Sequence, residues 1–148
     1  MDLRSLLSAA TTIELVDWPH QSVPAVLHRA GFDVVGHEPD SLKRYTAEAA
    51  TPADAADSFP LDDGTVLVSR DIDALPRPVD IVCTHRPADE QPDIARDAIA
   101  NGARALWLEP PVEASDEARR IVEDAGLAFV SGESIAAAVT RLGIRRSP

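Results

Sequence analysis

The segment from Thr12 to Glu38, TIELVDWPHQSVPAVLHRAGFDVVGHE, constrains the fold of this chain more than any other. An apolar run through Ile13, Leu15 and Val16 stops at Asp17. Ser22 is placed to cap a helix reaching Ala30, Gly31 is placed to end it, and Phe32 to Val35 resume an extended pattern. The spacing predicts strand, short loop, helix and strand, a βαβ unit that commits the start of the chain to a parallel sheet. In a doubly wound sheet the loop after the first strand meets a helix N-terminus. There, backbone N–H groups and the helix dipole favour an anion, usually a nucleotide phosphate. Residues 17–21 fill that loop with no glycine among them.

The rest of the chain continues the alternation. A leading helix is predicted over Leu3 to Ala10. Strands are predicted over Thr65 to Ser69, Val79 to Thr84, Ala103 to Leu108 and Leu127 to Val130. Helices are predicted over Pro92 to Asn101, Ser115 to Ala125 and Glu133 to Leu142, with Gly102 and Gly126 as C-caps. One helical turn is expected at Asp71 to Leu75. Residues 39–64 are rich in Ala, Asp and Pro and poor in apolar periodicity, so they read as an irregular surface excursion with a helical turn around Tyr45 to Ala50. The pattern calls for an α/β fold: a doubly wound, mostly parallel sheet of five to six strands with helices on both faces, three layers in all.

Composition narrows the function classes. The 148 residues suit one domain with one core, so residues 1–148 are read as a single domain. With 25 acidic residues against 14 basic ones the chain carries a net charge of -11, which opposes a phosphate backbone and argues against nucleic acid as a partner. No apolar run approaches the roughly 20 residues of a membrane span, and the N-terminus lacks the features of a secretion signal, so a cytoplasmic protein without a membrane partner is expected. Cys83 is the only cysteine, which rules out an internal disulfide and a C-x-x-C site; inside an apolar strand it reads as a buried hydrophobe.

The second half of the chain carries Pro78, Val79 and Asp80, then Arg86, then Ala98, Ile99, Gly102 and Ala103. Ala105, Leu106 and Trp107 follow, and finally Ala125 and Gly126. In that order these residues resemble the small stand-alone CoA-binding domain family, a Rossmann-like group related to the nucleotide-binding domain of the succinyl-CoA synthetase α subunit. Together with the opening βαβ unit, the resemblance spans about residues 11 to 145 apart from the excursion. It implies a CoA or acyl-CoA ligand, or a related adenine nucleotide. By that likeness the ligand meets the first loop (Asp17, Trp18, Pro19, His20), the helix entry at Ser22, the end of the second strand (Glu38, Pro39) and the edge Thr84, His85, Arg86. Glu109, after the fifth strand, completes the set.

Several of these positions depart from the family's usual residues. Asp17 stands where the family has a glycine, the loop is several residues shorter, and its arginine is missing. A carboxylate about 5 Å from a phosphate charge is repelled by roughly 3 kcal/mol at an effective dielectric near 20, enough to weaken binding about a hundredfold. His37 and Glu38 replace Val-Asn, Glu109 replaces an amide, and Gly132, Glu133 and Ser134 replace a Cys-Pro pair. Glu38 also lies where a dinucleotide fold places its ribose-binding carboxylate, but no G-x-G-x-x-G accompanies it. Arg86 matches the family and is the best phosphate contact; its structural alternative is an ion pair with Asp89 or Glu90.

No other catalytic pattern stands out. His20, His37 and His85 fall in strand-end loops, but no two histidines share i,i+3 or i,i+4 spacing, and no metal site is assigned. Nucleophile elbow, P-loop and H-E-x-x-H patterns are absent from the sequence. Three readings follow: a non-catalytic binder of a small-molecule nucleotide; a degenerate member that has lost CoA and serves as an interaction module with a protein partner, or as a subunit, beside a CoA-using enzyme; and, third, a metal- or nucleotide-dependent enzyme of unknown reaction.

Overall fold

The computed structural model describes residues 2–16, 22–38, 43–51, 59–60 and 65–145. Helix α1 (Leu3–Ala9) leads into strand β1 (Thr12–Val16), helix α2 (Ser22–Arg29) and strand β2 (Asp33–His37). Pro24 sits in the first turn of α2, where a missing backbone N–H costs no intrahelical bond. Gly31, at φ 94°, takes the left-handed conformation that turns the chain out of α2 towards β2. Strands β3 (Arg44–Ala50), β4 (Phe59–Pro60) and β5 (Val66–Ile72) follow, then β6 (Ile81–Thr84), α3 (Gln91–Ala100), β7 (Ala105–Leu108), α4 (Asp116–Asp124), β8 (Ala128–Val130) and α5 (Ile135–Leu142).

Among the described residues the strands form one eight-stranded sheet in the order β4-β5-β3-β2-β1-β6-β7-β8. The five strands β2, β1, β6, β7 and β8 run parallel, and β3, β5 and β4 extend the sheet antiparallel beyond β2. Alternation along each strand divides the core into two halves. Ile13, Leu15, Val34, Ile81, Cys83, Ala105 and Trp107 face α1, α2 and α5, while Val16, Val82, Leu106 and Leu108 face α3 and α4. The result is the expected three-layer, Rossmann-like α/β arrangement. Asp80 locks its start: one carboxylate oxygen accepts from the N–H groups of Thr11 at 2.7 Å and Thr12 at 2.9 Å, tying the entry of β1 to that of β6. Among the described residues no helix is long and apolar enough to cross a membrane.

Residues 39–64 correct the sequence reading. The stretch from Tyr45 to Ala50 is strand, not helical turn, and with β4 it widens the sheet beyond five to six strands. Alanine favours helix, but by only tenths of a kcal/mol per residue over most others, whereas β3 gains pairing on both sides, with β2 and with β5. The helical turn expected at Asp71 to Leu75 is likewise absent, because β5 continues to Ile72. Gly36 explains how β3 fits against β2: the Tyr45 ring occupies the place where a side chain at position 36 would start.

Candidate functional site

Parallel register places the expected site at one edge of the sheet. His37 pairs with Val16, Val16 with Thr84 and Thr84 with Leu108, so the last residues of β2, β1, β6 and β7 form one row. At about 4.8 Å per strand the row spans some 14 Å, and the segments that leave it carry Glu38, Thr84 to Arg86 and Glu109. The structure thus brings the described candidates to the carboxyl edge, where ligands bind in open α/β sheets. Asp17, Trp18, Pro19, His20 and Pro39 lie outside the described residues, as does the Ser22 side chain; the backbone of Ser22 opens α2.

The loop after β6 is held from several sides. The Thr84 hydroxyl accepts from the Arg86 N–H at 3.1 Å. The Arg86 guanidinium grips Glu90 in a two-pronged pair, with Nη2 2.9 Å and 2.7 Å from the two carboxylate oxygens and Nε 3.2 Å from one of them. Arg86 therefore makes the ion pair that its sequence neighbours suggested, with Glu90 rather than Asp89, and its side chain stays 22% exposed at the edge. His85 beside it is half-buried.

Sequence reasoning missed the residue that fixes this loop. Gln91, the first residue of α3, is fully buried. Its amide nitrogen donates to the carbonyls of Arg86 at 3.1 Å and Glu113 at 2.8 Å, and its amide oxygen accepts from the Ser115 N–H at 2.8 Å. One side chain thereby ties the segment after β6 to the segment after β7. A polar residue followed by proline at a helix start is common on surfaces, so the only sequence signal was its place between two edge loops.

Glu109 points into the fold. It is 6% exposed, and its Oε1 accepts from the Ile135 N–H at the start of α5. The Cys83 thiol lies 3.9 Å from the same oxygen. Burial pushes the Glu109 carboxyl above its ordinary range, held back by hydrogen bonds from Ile135, Ser134 and Cys83. Burial also drives the Cys83 thiol well up, with the Glu109 charge adding to it, so the thiol is an inert core group. Trp107 is core as expected, and its indole N–H donates to the Glu133 carbonyl at 2.8 Å. The start of α5 is thus held by a carboxylate and an indole from the end of β7.

The second missed residue is Glu14. It sits in the middle of β1 at 1% exposure, flanked in register by Val35 on β2 and Val82 on β6. Its Oε2 lies 3.0 Å from Nδ1 of His37, close enough for an ion pair but not aligned for a hydrogen bond, and its Oε1 meets no donor among the described residues. A polar letter inside the apolar run TIELV was the signal available. Glu38 is exposed, and its N–H donates to the Lys43 carbonyl, so its backbone closes the connection from β2 to β3.

A sequence profile for a family described as a CoA binding domain matches residues 17–140. No curated protein matches the chain. Among solved structures, a Thermus thermophilus protein described as cell-free ID.343 superposes with a TM-score of 0.62 at 20% identity, over 95% of this chain and 96% of that one. A hypothetical protein from Pyrococcus horikoshii OT3 gives 0.66 at 19% identity, over 94% and 88%. At these identities the structural likeness is one of fold.

Proposed function

The chain belongs to the CoA-binding domain family, and from that premise we propose that it binds CoA, an acyl-CoA or a related adenine nucleotide, as a single domain without catalytic activity of its own. The observation that carries this reading is the register that aligns the ends of β2, β1 and β6 beside a half-buried arginine. The backbone of α2 begins beside that row and supplies the helix N-terminus to which a diphosphate is suited. Arg86, oriented by Glu90 and by the loop that Gln91 holds, is the proposed cationic contact for the ligand's phosphates.

One observation favours a second reading. The Arg86 guanidinium is engaged by Glu90, and the start of α5 is engaged by the chain's own Glu109 carboxylate. Groups suited to an anion are answered internally at both places, as expected of a member that has given up its ligand and serves as an interaction module for a protein partner.

Isothermal titration with CoA and acetyl-CoA separates the two. The ligand reading expects saturable heat from the folded protein and a loss of about 10- to 100-fold in affinity in Arg86→Ala, the worth of one charge-assisted phosphate contact. Absence of heat from protein shown to be folded by circular dichroism overturns it in favour of the second.

A further inference from the structure

We propose that Glu90 is a built-in competitor for the ligand's phosphate, a carboxylate that occupies Arg86 and thereby sets how tightly an anionic ligand is bound. The inference rests on the reading of Arg86 as the cationic contact, and it deepens that reading by assigning a part to a residue outside the expected set. It starts from the way Arg86 is held. Its N–H donates to the Thr84 hydroxyl at 3.1 Å, and its carbonyl accepts from the amide of the buried Gln91 at 3.1 Å. Both polar groups of its backbone are fixed by side chains other than Glu90, so the loop is placed without that carboxylate.

Glu90 acts at the other end of the residue. Its two oxygens stand 2.9 Å and 2.7 Å from Nη2, and Nε lies 3.2 Å from the first of them, so the carboxylate covers the Nε and Nη2 edge of the guanidinium. A planar fork of this kind is what an arginine offers to a phosphate, and a phosphate approaching that edge finds a carboxylate already there. The Arg86 and Glu90 side chains are 22% and 35% exposed, which leaves the pair within reach of a ligand. Helix capping does not account for the placement. Glu90 stands at the N-cap of α3, where a side chain commonly accepts from first-turn N–H groups, yet it makes no such bond and reaches back to Arg86 instead.

A partner on the same chain has an advantage over one in solution. Glu90 is four residues from Arg86, on the turn between β6 and α3, so it competes at a high effective concentration while a ligand phosphate arrives from bulk. Binding therefore exchanges one charge-assisted pair for another, and Arg86 contributes only the difference between them. Glutamine at position 90 keeps the shape and a neutral acceptor but yields the guanidinium at less cost. Affinity for a phosphate ligand should then rise, the opposite of the fall expected if the orienting effect of Glu90 on Arg86 dominated.

Calorimetric titration of the full chain with CoA compares wild type, Glu90→Gln, Arg86→Ala and the double variant, with Glu90→Ala in reserve should the glutamine variant fail to fold. Glu90→Gln should bind CoA about tenfold more tightly than wild type, and the gain should shrink to about twofold when Arg86 is already alanine. A charge that only repels the ligand through solvent acts in both backgrounds, so the cycle separates competition from repulsion. The Arg86 Nε–H resonance supplies a second readout: it should shift when CoA saturates the wild type, as the bond to Glu90 is given up. Equal or weaker binding by Glu90→Gln, an equal gain in both backgrounds, or an unmoved resonance at saturation overturns the competitor and leaves the ligand reading standing on wild-type CoA binding. A wild type that gives no heat while Glu90→Gln binds CoA supports the competitor. No heat from either, in protein shown to be folded by circular dichroism, overturns the competitor together with the ligand reading.

Discussion

Replacing Glu109 by glutamine should stabilise this protein, and the gain should depend on pH. The carboxyl is 6% exposed, and its Oε1 accepts from the Ile135 N–H at the start of α5. Glutamine keeps the shape and an acceptor oxygen for that N–H while removing the charge. A negative charge at a helix N-terminus contributes roughly 0.3–1 kcal/mol, rising towards 2 when partly buried, whereas burying an ion costs several kcal/mol. Which effect wins is decided by the direction of the carboxyl's titration. Burial is the largest influence and lifts it above its ordinary value of 4.5 despite three hydrogen bonds that act the other way.

A carboxyl whose folded-state pKa is raised holds its proton longer in the fold than in the unfolded chain. By linkage the folded state then binds more protons, and this group's contribution to stability falls as pH rises through that interval. Below the ordinary carboxyl value both states are protonated, and Glu109→Gln should match the wild type. Above the raised value the variant should be more stable by about 1 kcal/mol, or about 3 °C in melting temperature for a chain of this size. Urea unfolding of both proteins between pH 4 and pH 8 measures the difference, with the other carboxylates cancelling between them. Glu109→Ala serves as the control: it strips the Ile135 N–H of its acceptor and should cost about 2 kcal/mol at pH 4, a penalty that shrinks towards about 1 kcal/mol at pH 8 by the same interval over which the glutamine gap widens. A glutamine variant less stable than wild type at pH 8, or a gap that does not widen with pH, refutes the reasoning.

Two further outcomes follow from the packing. Gln91→Ala removes three hydrogen bonds from a fully buried site and should lower unfolding stability by about 3 kcal/mol, read as a fall in the urea midpoint. Gly36→Ala drives a methyl into the Tyr45 ring and should cost about 1 kcal/mol. The same change in a Tyr45→Ala background should cost little, and equal penalties in the two backgrounds would show that the ring does not set the requirement for glycine.

The parallel half of the fold was legible because its signals are local. Apolar alternation, Ser115 at a helix start, and glycines 102 and 126 at helix ends each act within a few residues, and each is found where the sequence put it. The antiparallel half was not legible, because β3 owes its existence to partners on both sides and not to the intrinsic preference of Ala-rich residues 45–50. The same divide runs through the candidate site. The pair of Arg86 with Glu90 spans four residues, and the sequence held it as an alternative. Glu109 with Ile135 and Gln91 with Glu113 span 26 and 22 residues. Such pairs exist only once β7, α4 and α5 have been stacked in order.

That distance also explains why edge residues of similar chemistry play different parts. Glu38 and Glu109 directly follow strands and Glu90 directly precedes α3, yet Glu38 is exposed, Glu90 holds an arginine in place, and Glu109 holds a helix start. What separates them is the element each one adjoins and what has packed against it. Glu109 follows Trp107 by two residues and therefore shares the α5 side. Glu14 follows the same rule in reverse: one residue from Ile13 and two from Val16, it falls on the α3 and α4 side of the sheet beside His37. A carboxylate count at the edge overstates the negative field that a phosphate would meet, because Glu90 is paired with Arg86 and Glu109 is turned into the fold towards the start of α5. The discrimination between a nucleotide binder and an interaction module therefore turns on whether a ligand phosphate can share Arg86 with Glu90, and the Arg86→Ala titration reads that competition directly.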